Sequence, residues 1–161
     1  MITLVLGGAR SGKSELAERL VARLPMPITY VATGVASDPD IAARIAAHRA
    51  RRPATWATAE PADLVAAVAD VTGTLLVDAL GAWVARADGF AVDVDGLLAA
   101  LTGRTGDTVV VSDEVGLGVH PSTEAGRRFR DALGVLNGRV AEVAGDVLLV
   151  VAGRALPLDR V

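Results

Sequence analysis

Ile2-Thr3-Leu4-Val5-Leu6-Gly7-Gly8-Ala9-Arg10-Ser11-Gly12-Lys13-Ser14 is the stretch that decides the fold. A short β-branched apolar run enters a turn with the spacing GxxxxGK[ST], and a helix-forming stretch, Ser14 to Leu24, leaves it. The glycines let backbone N–H groups turn inward around phosphate oxygens, Lys13 reaches the β and γ phosphates, and the Ser14 hydroxyl is placed to ligate Mg²⁺. Lys13 is also the only lysine among sixteen basic residues. Arginine is a planar fork and lysine a compact point charge, so the one retained lysine marks a place where a phosphate clamp of that shape is required.

Outward from this turn the chain alternates. Apolar runs at Ile2 to Leu6, Ile28 to Ala32, Thr74 to Val77, Thr108 to Val111 and Val147 to Ala152 read as strands covered on both faces. Helices are expected over Ser14 to Leu24, Pro39 to about Arg51, Pro61 to about Asp70, about Val94 to Leu101, and Ser122 to about Ala144. Pro39 and Pro61 suit first helical positions, and Asp38 is a candidate N-cap. The alternation predicts an α/β fold of the P-loop NTPase type, with a mostly parallel central sheet and helices on both faces. Ligands then gather beyond the carboxyl ends of the strands.

The 161 residues, 52% of them hydrophobic, suffice for one core, and no linker-like stretch divides them, so one catalytic domain over residues 1–161 is expected. No apolar run approaches the ~18 residues of a membrane span. The start lacks the basic region and apolar length of a signal peptide, which gives a cytoplasmic expectation. Zero cysteines exclude disulfides and thiolate chemistry, and a net charge of −3 gives no drive towards nucleic acid.

Several residues near the strand ends carry chemical potential. Asp78 closes Leu75-Leu76-Val77, the setting of an acid that holds Mg²⁺ in a P-loop protein, while Asp113 and Glu114 close Val109-Val110-Val111-Ser112 and compete for that role. Either strand end also suits an acid that merely caps the next helix. His48 lies among Arg44, Arg49, Arg51 and Arg52, a cluster fit for phosphate that would keep an imidazole neutral and nucleophilic. From composition alone, a solvated basic face with a boundary histidine is the plainer reading. His120, the other histidine, reads as a loop residue beside Pro121, and Glu60 as either a guanine acceptor or a cap.

GGARSGKS, YVAT at Tyr30 to Thr33, ARIAAHRARRPATWATAE from Ala43 to Glu60, LLVDALGAW from Leu75 to Trp83, DEVGLGVHP from Asp113 to Pro121 and the closing LLVVAG together resemble the bifunctional adenosylcobinamide kinase / adenosylcobinamide-phosphate guanylyltransferases of cobalamin biosynthesis. The pattern RIxxHxxxRPxxWxTxE, running from Arg44 to Glu60, is the most specific of these. The resemblance implies a RecA-like fold and two reactions. One phosphorylates adenosylcobinamide from ATP or GTP, and the other moves GMP from GTP onto the resulting phosphate through a histidine-bound intermediate at His48. It implies nucleotide contacts along Gly7, Gly8, Ala9, Arg10, Ser11, Gly12, Lys13 and Ser14, at Thr33, Gly34 and Val35, at Arg49, Ala50, Arg51 and Arg52, and at Glu60 and Asp78. Lys13 and His48 become the catalytic pair, Ser14 and Asp78 the Mg²⁺ ligands, a corrinoid and a nucleotide the partners, and a homo-oligomer the expected assembly.

The chain departs from that pattern at Gly81, where a polar residue such as threonine is common, and at Asp113, where asparagine is frequent. A GTP-driven switch, suggested by the DxxG of Asp78 to Gly81, would need an NKxD lysine, and the single lysine is committed to phosphate. A plain small-molecule kinase without guanylyl transfer is the remaining alternative.

Overall fold

The computed structural model describes residues 1–34, 46, 49, 50 and 52–160. Strands β1 (Ile2–Gly7), β2 (Ile28–Ala32), β3 (Ala57–Ala59), β4 (Thr74–Asp78), β5 (Thr108–Asp113), β6 (Asp146–Val151) and β7 (Arg154–Pro157) form one sheet in the order β3-β2-β4-β5-β1-β6-β7. All pairs are parallel except β6 with β7, which close as an antiparallel hairpin. The strand that ends in Asp78 is separated from the strand that enters the glycine turn by β5 alone, which brings β1, β4 and β5 to one edge of the site.

Alternation along each strand feeds two cores, because successive side chains leave a strand on opposite faces. Leu4, Leu6, Val31, Leu75, Val77 and Val110 pack on one side with helices α2 (Leu64–Asp70), α3 (Leu80–Arg86), α4 (Val94–Gly103) and α5 (Glu124–Val143). Val5, Ile28, Tyr30, Leu76, Val109 and Val111 pack on the other with Ala17 and Val21 of α1 (Lys13–Val21). Each fully buried leucine or valine contributes about 1.5–3 kcal/mol over an exposed one. The sheet is thus covered on both faces, as the continuous apolar runs predict.

Four elements go beyond the sequence expectation: β3, α3, a single 3-10 turn at Asp88–Phe90, and β7. One expected boundary is corrected. Pro61 is not a first helical residue, because α2 begins at Leu64 with Asp63 as its N-cap, whose carboxylate accepts from the Ala66 N–H at 3.1 Å. The expected helix Pro39 to Arg51 and its Asp38 cap lie outside the described residues except at Ala46, Arg49 and Ala50, which are helical.

Candidate active site

The turn Gly8 to Gly12 is held from below. Its backbone visits the left-handed region at Arg10 (φ 58°) and Gly12 (φ 96°), the second of which a Cβ would strain. The Gly153 N–H, in the β6–β7 hairpin, donates to the Ser11 carbonyl at 2.8 Å, so the hairpin supports the loop. Helix α1 starts at Lys13 with Gly12 at its N-cap, and the Lys13 N–H donates to Ser11 Oγ at 3.4 Å, so the loop serine partners the first amide of the helix.

Lys13 is buried, and its Nζ lies 2.8 Å from Asp113 Oδ1 and 3.2 Å from the Gly8 carbonyl. Ser14 Oγ donates to Asp78 Oδ1 at 3.2 Å. The three acids left open by the sequence are thereby separated. Asp78 faces the serine of the glycine turn, Asp113 faces its lysine, and Glu114 bonds the Gly116 N–H of its own loop at 2.6 Å. Asp78 is no cap either, since α3 has Ala79 at its N-cap and no side-chain cap bond.

Gly81 explains where the Asp113 side chain goes. A Cβ there would lie 2.2 Å from Asp113 Oδ2, so the glycine leaves the room that the carboxylate fills. The two departures from the family pattern are one spatial feature.

Thr33 is buried at the end of β2, where its hydroxyl takes the Ala79 N–H at 2.9 Å and bonds the Ala79 carbonyl. Its own carbonyl accepts from Arg86 Nη1 at 2.8 Å. These bonds fix the Asp78-Ala79 peptide, which is cis. Gly34 follows at the same strand end, and Val35 lies outside the described residues.

Beside this centre a depression of about 550 Å³ opens between Arg49, Arg52, Trp56, Thr58 and Glu60. Glu60 forms an ion pair with Arg49 and does not cap α2. Arg52 donates to Thr58 Oγ1 of β3 at 3.2 Å and lies 3.6 Å from the Tyr30 ring centroid. Tyr30 in turn donates to Asp78 Oδ2 at 2.8 Å. Burial first, then the Asp78 charge, pushes the Tyr30 phenol well above its ordinary 10.0. Arg44, His48 and Arg51 lie outside the described residues. His120 sits on an exposed loop with Arg130 Nη1 donating to its Nδ1 at 2.9 Å, away from these groups in contact terms.

Sequence reasoning missed Tyr30, Arg86 and the Lys13–Asp113 pair. Tyr30 carried a signal, as the single tyrosine within a β-branched strand that ends at a ligand-binding edge.

Hydroxyl and carboxylate oxygens are the donors Mg²⁺ takes when phosphates and water supply the rest, so Ser14 and Asp78 fit it. Among the described residues no three or more His, Asp or Glu side chains gather where they could hold a metal ion. No helix among the described residues is long and apolar enough to cross a membrane.

A glycine loop between strand and helix, a lysine inside it, and an acid from a strand one place removed define a P-loop nucleotide-binding protein of RecA-like architecture. Solved structures agree at the level of fold. An ATPase from the type III secretion system of pathogenic bacteria superposes with a TM-score of 0.55 at 10% identity, over 92% of this chain and 50% of that one. The flagellar accessory protein FlaH from Methanocaldococcus jannaschii does so with 0.51 at 15% identity, over 98% and 77%.

The chain belongs to the cobinamide kinase / cobinamide phosphate guanyltransferase family, which matches residues 3–158. It is 43% identical to the bifunctional adenosylcobalamin biosynthesis protein CobP of Pseudomonas aeruginosa, over 98% of this chain and 97% of the relative. It is 38% identical to the bifunctional adenosylcobalamin biosynthesis protein CobU of Salmonella typhimurium, over 95% and 97%.

Proposed function

We propose that this chain carries out both reactions of its family at adjoining parts of one strand-end surface. It phosphorylates adenosylcobinamide, with ATP or GTP as donor, and transfers GMP from GTP to adenosylcobinamide phosphate, releasing pyrophosphate and forming adenosylcobinamide-GDP. The observation that carries the reading is the convergence of Lys13, Ser14 and Asp78 in a chain that matches the family over nearly its whole length.

In the phosphorylation, backbone N–H groups from Gly8 to Ser14 cradle the triphosphate and Lys13 exchanges its Asp113 partner for phosphate oxygens. Ser14 and Asp78 would hold Mg²⁺, and the ion would offset charge on the phosphates. The corrinoid hydroxyl attacks the γ phosphorus, the P–O bond to the β phosphate breaks, and the hydroxyl proton leaves to solvent or base. Positioning and electrostatics supply most of the rate here.

In the transfer, the imidazole of His48 attacks the α phosphorus of GTP, an N–P bond forms, and pyrophosphate departs with the electron pair of the broken P–O bond. A phosphate oxygen of adenosylcobinamide phosphate then attacks the same phosphorus and returns the histidine. Arg49 and Arg52 line the depression beside Glu60 and, with Arg51 adjoining them in sequence, would supply cations that offset charge on the phosphorus oxygens and the leaving group. Glu60, beside Arg49, offers acceptor oxygens to a guanine edge. Nucleoside triphosphate substrates suit a cytoplasmic setting, and the apolar surplus of the chain suits a homo-oligomer.

The test is covalent labelling. GTP labelled at the α phosphate should label the protein, and GTP labelled at the γ phosphate should leave none. The bond should break in mild acid and survive alkali. His48→Asn should lose label and GMP transfer yet retain part of its phosphorylation, while His120→Asn keeps both. Label persisting on His48→Asn would sink the histidine assignment and favour the plain kinase.

A further inference from the structure

Tyr30 is the only tyrosine in the chain, and none of the functional motifs assigns it a role. It is 4% exposed, on the α1 side of the sheet, and it points along the strand-end edge. Its hydroxyl donates to Asp78 Oδ2 at 2.8 Å while Ser14 Oγ donates to Asp78 Oδ1 at 3.2 Å. The two oxygens of one carboxylate are therefore fixed from two directions, and a rotation of that carboxylate would break at least one bond. The face of the same ring carries the Arg52 guanidinium at 3.6 Å, and Arg52 is tied onward to Thr58 of β3, the strand paired with β2.

A tyrosine that served only the core would need any acceptor for its hydroxyl and no cation on its ring. Here the acceptor is the one acid that faces the serine of the glycine turn, and the cation borders the depression that holds Arg49 and Glu60. Guanidinium planes stack well on aromatic faces, and the ring limits where Arg52 can point.

We propose that Tyr30 is a positioning residue for both reactions: its hydroxyl orients the Asp78 carboxylate towards Ser14, and its ring seats Arg52 at the edge of the guanylyl-transfer depression. This rests on the reading of Asp78 and Arg52 given above. Tyr30→Phe keeps ring and stack and removes only the hydroxyl. Tyr30→Leu removes both.

Initial rates of phosphorylation and of GMP transfer are measured as Mg²⁺ is titrated at fixed GTP, for the native chain, Tyr30→Phe, Tyr30→Leu and Asp78→Asn. Tyr30→Phe should raise the half-saturating Mg²⁺ of both reactions by about tenfold, the scale on which partners of metal ligands act. Its maximal rates should stay near native. Tyr30→Leu should add a further loss of roughly tenfold confined to GMP transfer, the scale of a partly desolvated guanidinium–ring stack. A purely structural tyrosine would lower thermal stability without moving the Mg²⁺ requirement or splitting the two reactions.

Native half-saturating Mg²⁺ in Tyr30→Phe alongside an impaired Asp78→Asn overturns the proposal and spares the reading of Asp78. An unimpaired Asp78→Asn overturns both. Because Tyr30 is the sole tyrosine, growth on 3-fluorotyrosine labels that site alone in the otherwise native chain. Its ¹⁹F resonance should move when Mg²⁺ and GTP are added together, and an unmoved resonance at saturation overturns the proposal even where Tyr30→Leu does not fold.

Discussion

Single side chains at the strand ends make separable predictions. Lys13→Ala should reduce both reactions by ~10²-fold or more, since one cradle stabilises the triphosphate in each, and Lys13→Arg should fail to restore them because the fork does not fit a point charge's place. Near-native turnover by a folded Lys13→Ala would remove the site from this loop. Tyr30 makes a pH prediction with a definite sign. Its phenol is pushed above 10.0 in the folded chain, so folding favours the protonated form; that stability is complete below pH 10 and is lost as pH rises beyond it. Urea unfolding should show the native chain losing up to about 1.4 kcal/mol per pH unit above 10 that Tyr30→Phe does not lose. Parallel curves for the two proteins would contradict the buried bond to Asp78. Of the site, Lys13 and Ser14 were legible because the spacing GxxxxGK[ST] encodes them along one stretch of chain, whereas Asp78 was one of three strand-end acids that the sequence left open. The Tyr30–Asp78 and Lys13–Asp113 contacts join residues far apart in sequence, and only the strand order makes them neighbours.

Elements were legible where one physical signal dominated. The five long strands announce themselves as short, nearly continuous apolar runs, and α5 does so through its length; its start falls at Glu124 rather than Ser122 because Thr123 caps it, accepting from the Gly126 N–H at 3.1 Å. The three-residue β3, Ala57-Thr58-Ala59, has too few positions for a period to register. β7 is exposed throughout and ends on a proline, and α3 has two turns and no side-chain cap. α3 also carries Gly81 in its first turn, where helix propensity alone favours alanine by about 0.5–1 kcal/mol. Gly81→Ala should not gain that energy. Its Cβ would displace the Asp113 carboxylate from Lys13, so stability should fall and the KM for nucleotide should change. Gly81→Ala with Asp113→Ala should restore the stability relative to Asp113→Ala alone, a coupling readable in a double-mutant cycle. Additive effects would mean that the carboxylate does not occupy the space beside Gly81.

Across the whole molecule, chemistry and anchoring lie at opposite ends of the parallel strands. Lys13, Ser14, Asp78 and Asp113 gather at the carboxyl ends, while Arg104 closes the amino ends of β4 and β5. Its guanidinium donates to the carbonyls of Val71 at 2.9 Å, Gly73 at 2.8 Å, Asp107 at 3.1 Å and Gly106 at 3.3 Å, and to Thr108 Oγ1. Burial lowers its pKa below the ordinary arginine range, yet the guanidinium keeps its charge and satisfies five acceptors at once. Arg104→Met keeps the stem but orphans those acceptors, and a broken buried network of this kind costs about 2–4 kcal/mol. In a chain of this size that corresponds to a melting-point decrease of roughly 5–15 °C. Because the strand ends that bear Lys13, Asp78 and Asp113 are untouched, kcat/KM per folded molecule at 25 °C should stay native. Nucleotide binds only the folded chain, so Mg²⁺ and GTP at a hundredfold excess over Kd should return about 2.7 kcal/mol to native and variant alike. Calorimetry with and without nucleotide checks both parts. A variant that melts low but gains less than the native chain from nucleotide would show that the two ends are mechanically coupled, and the separation argued here would fail.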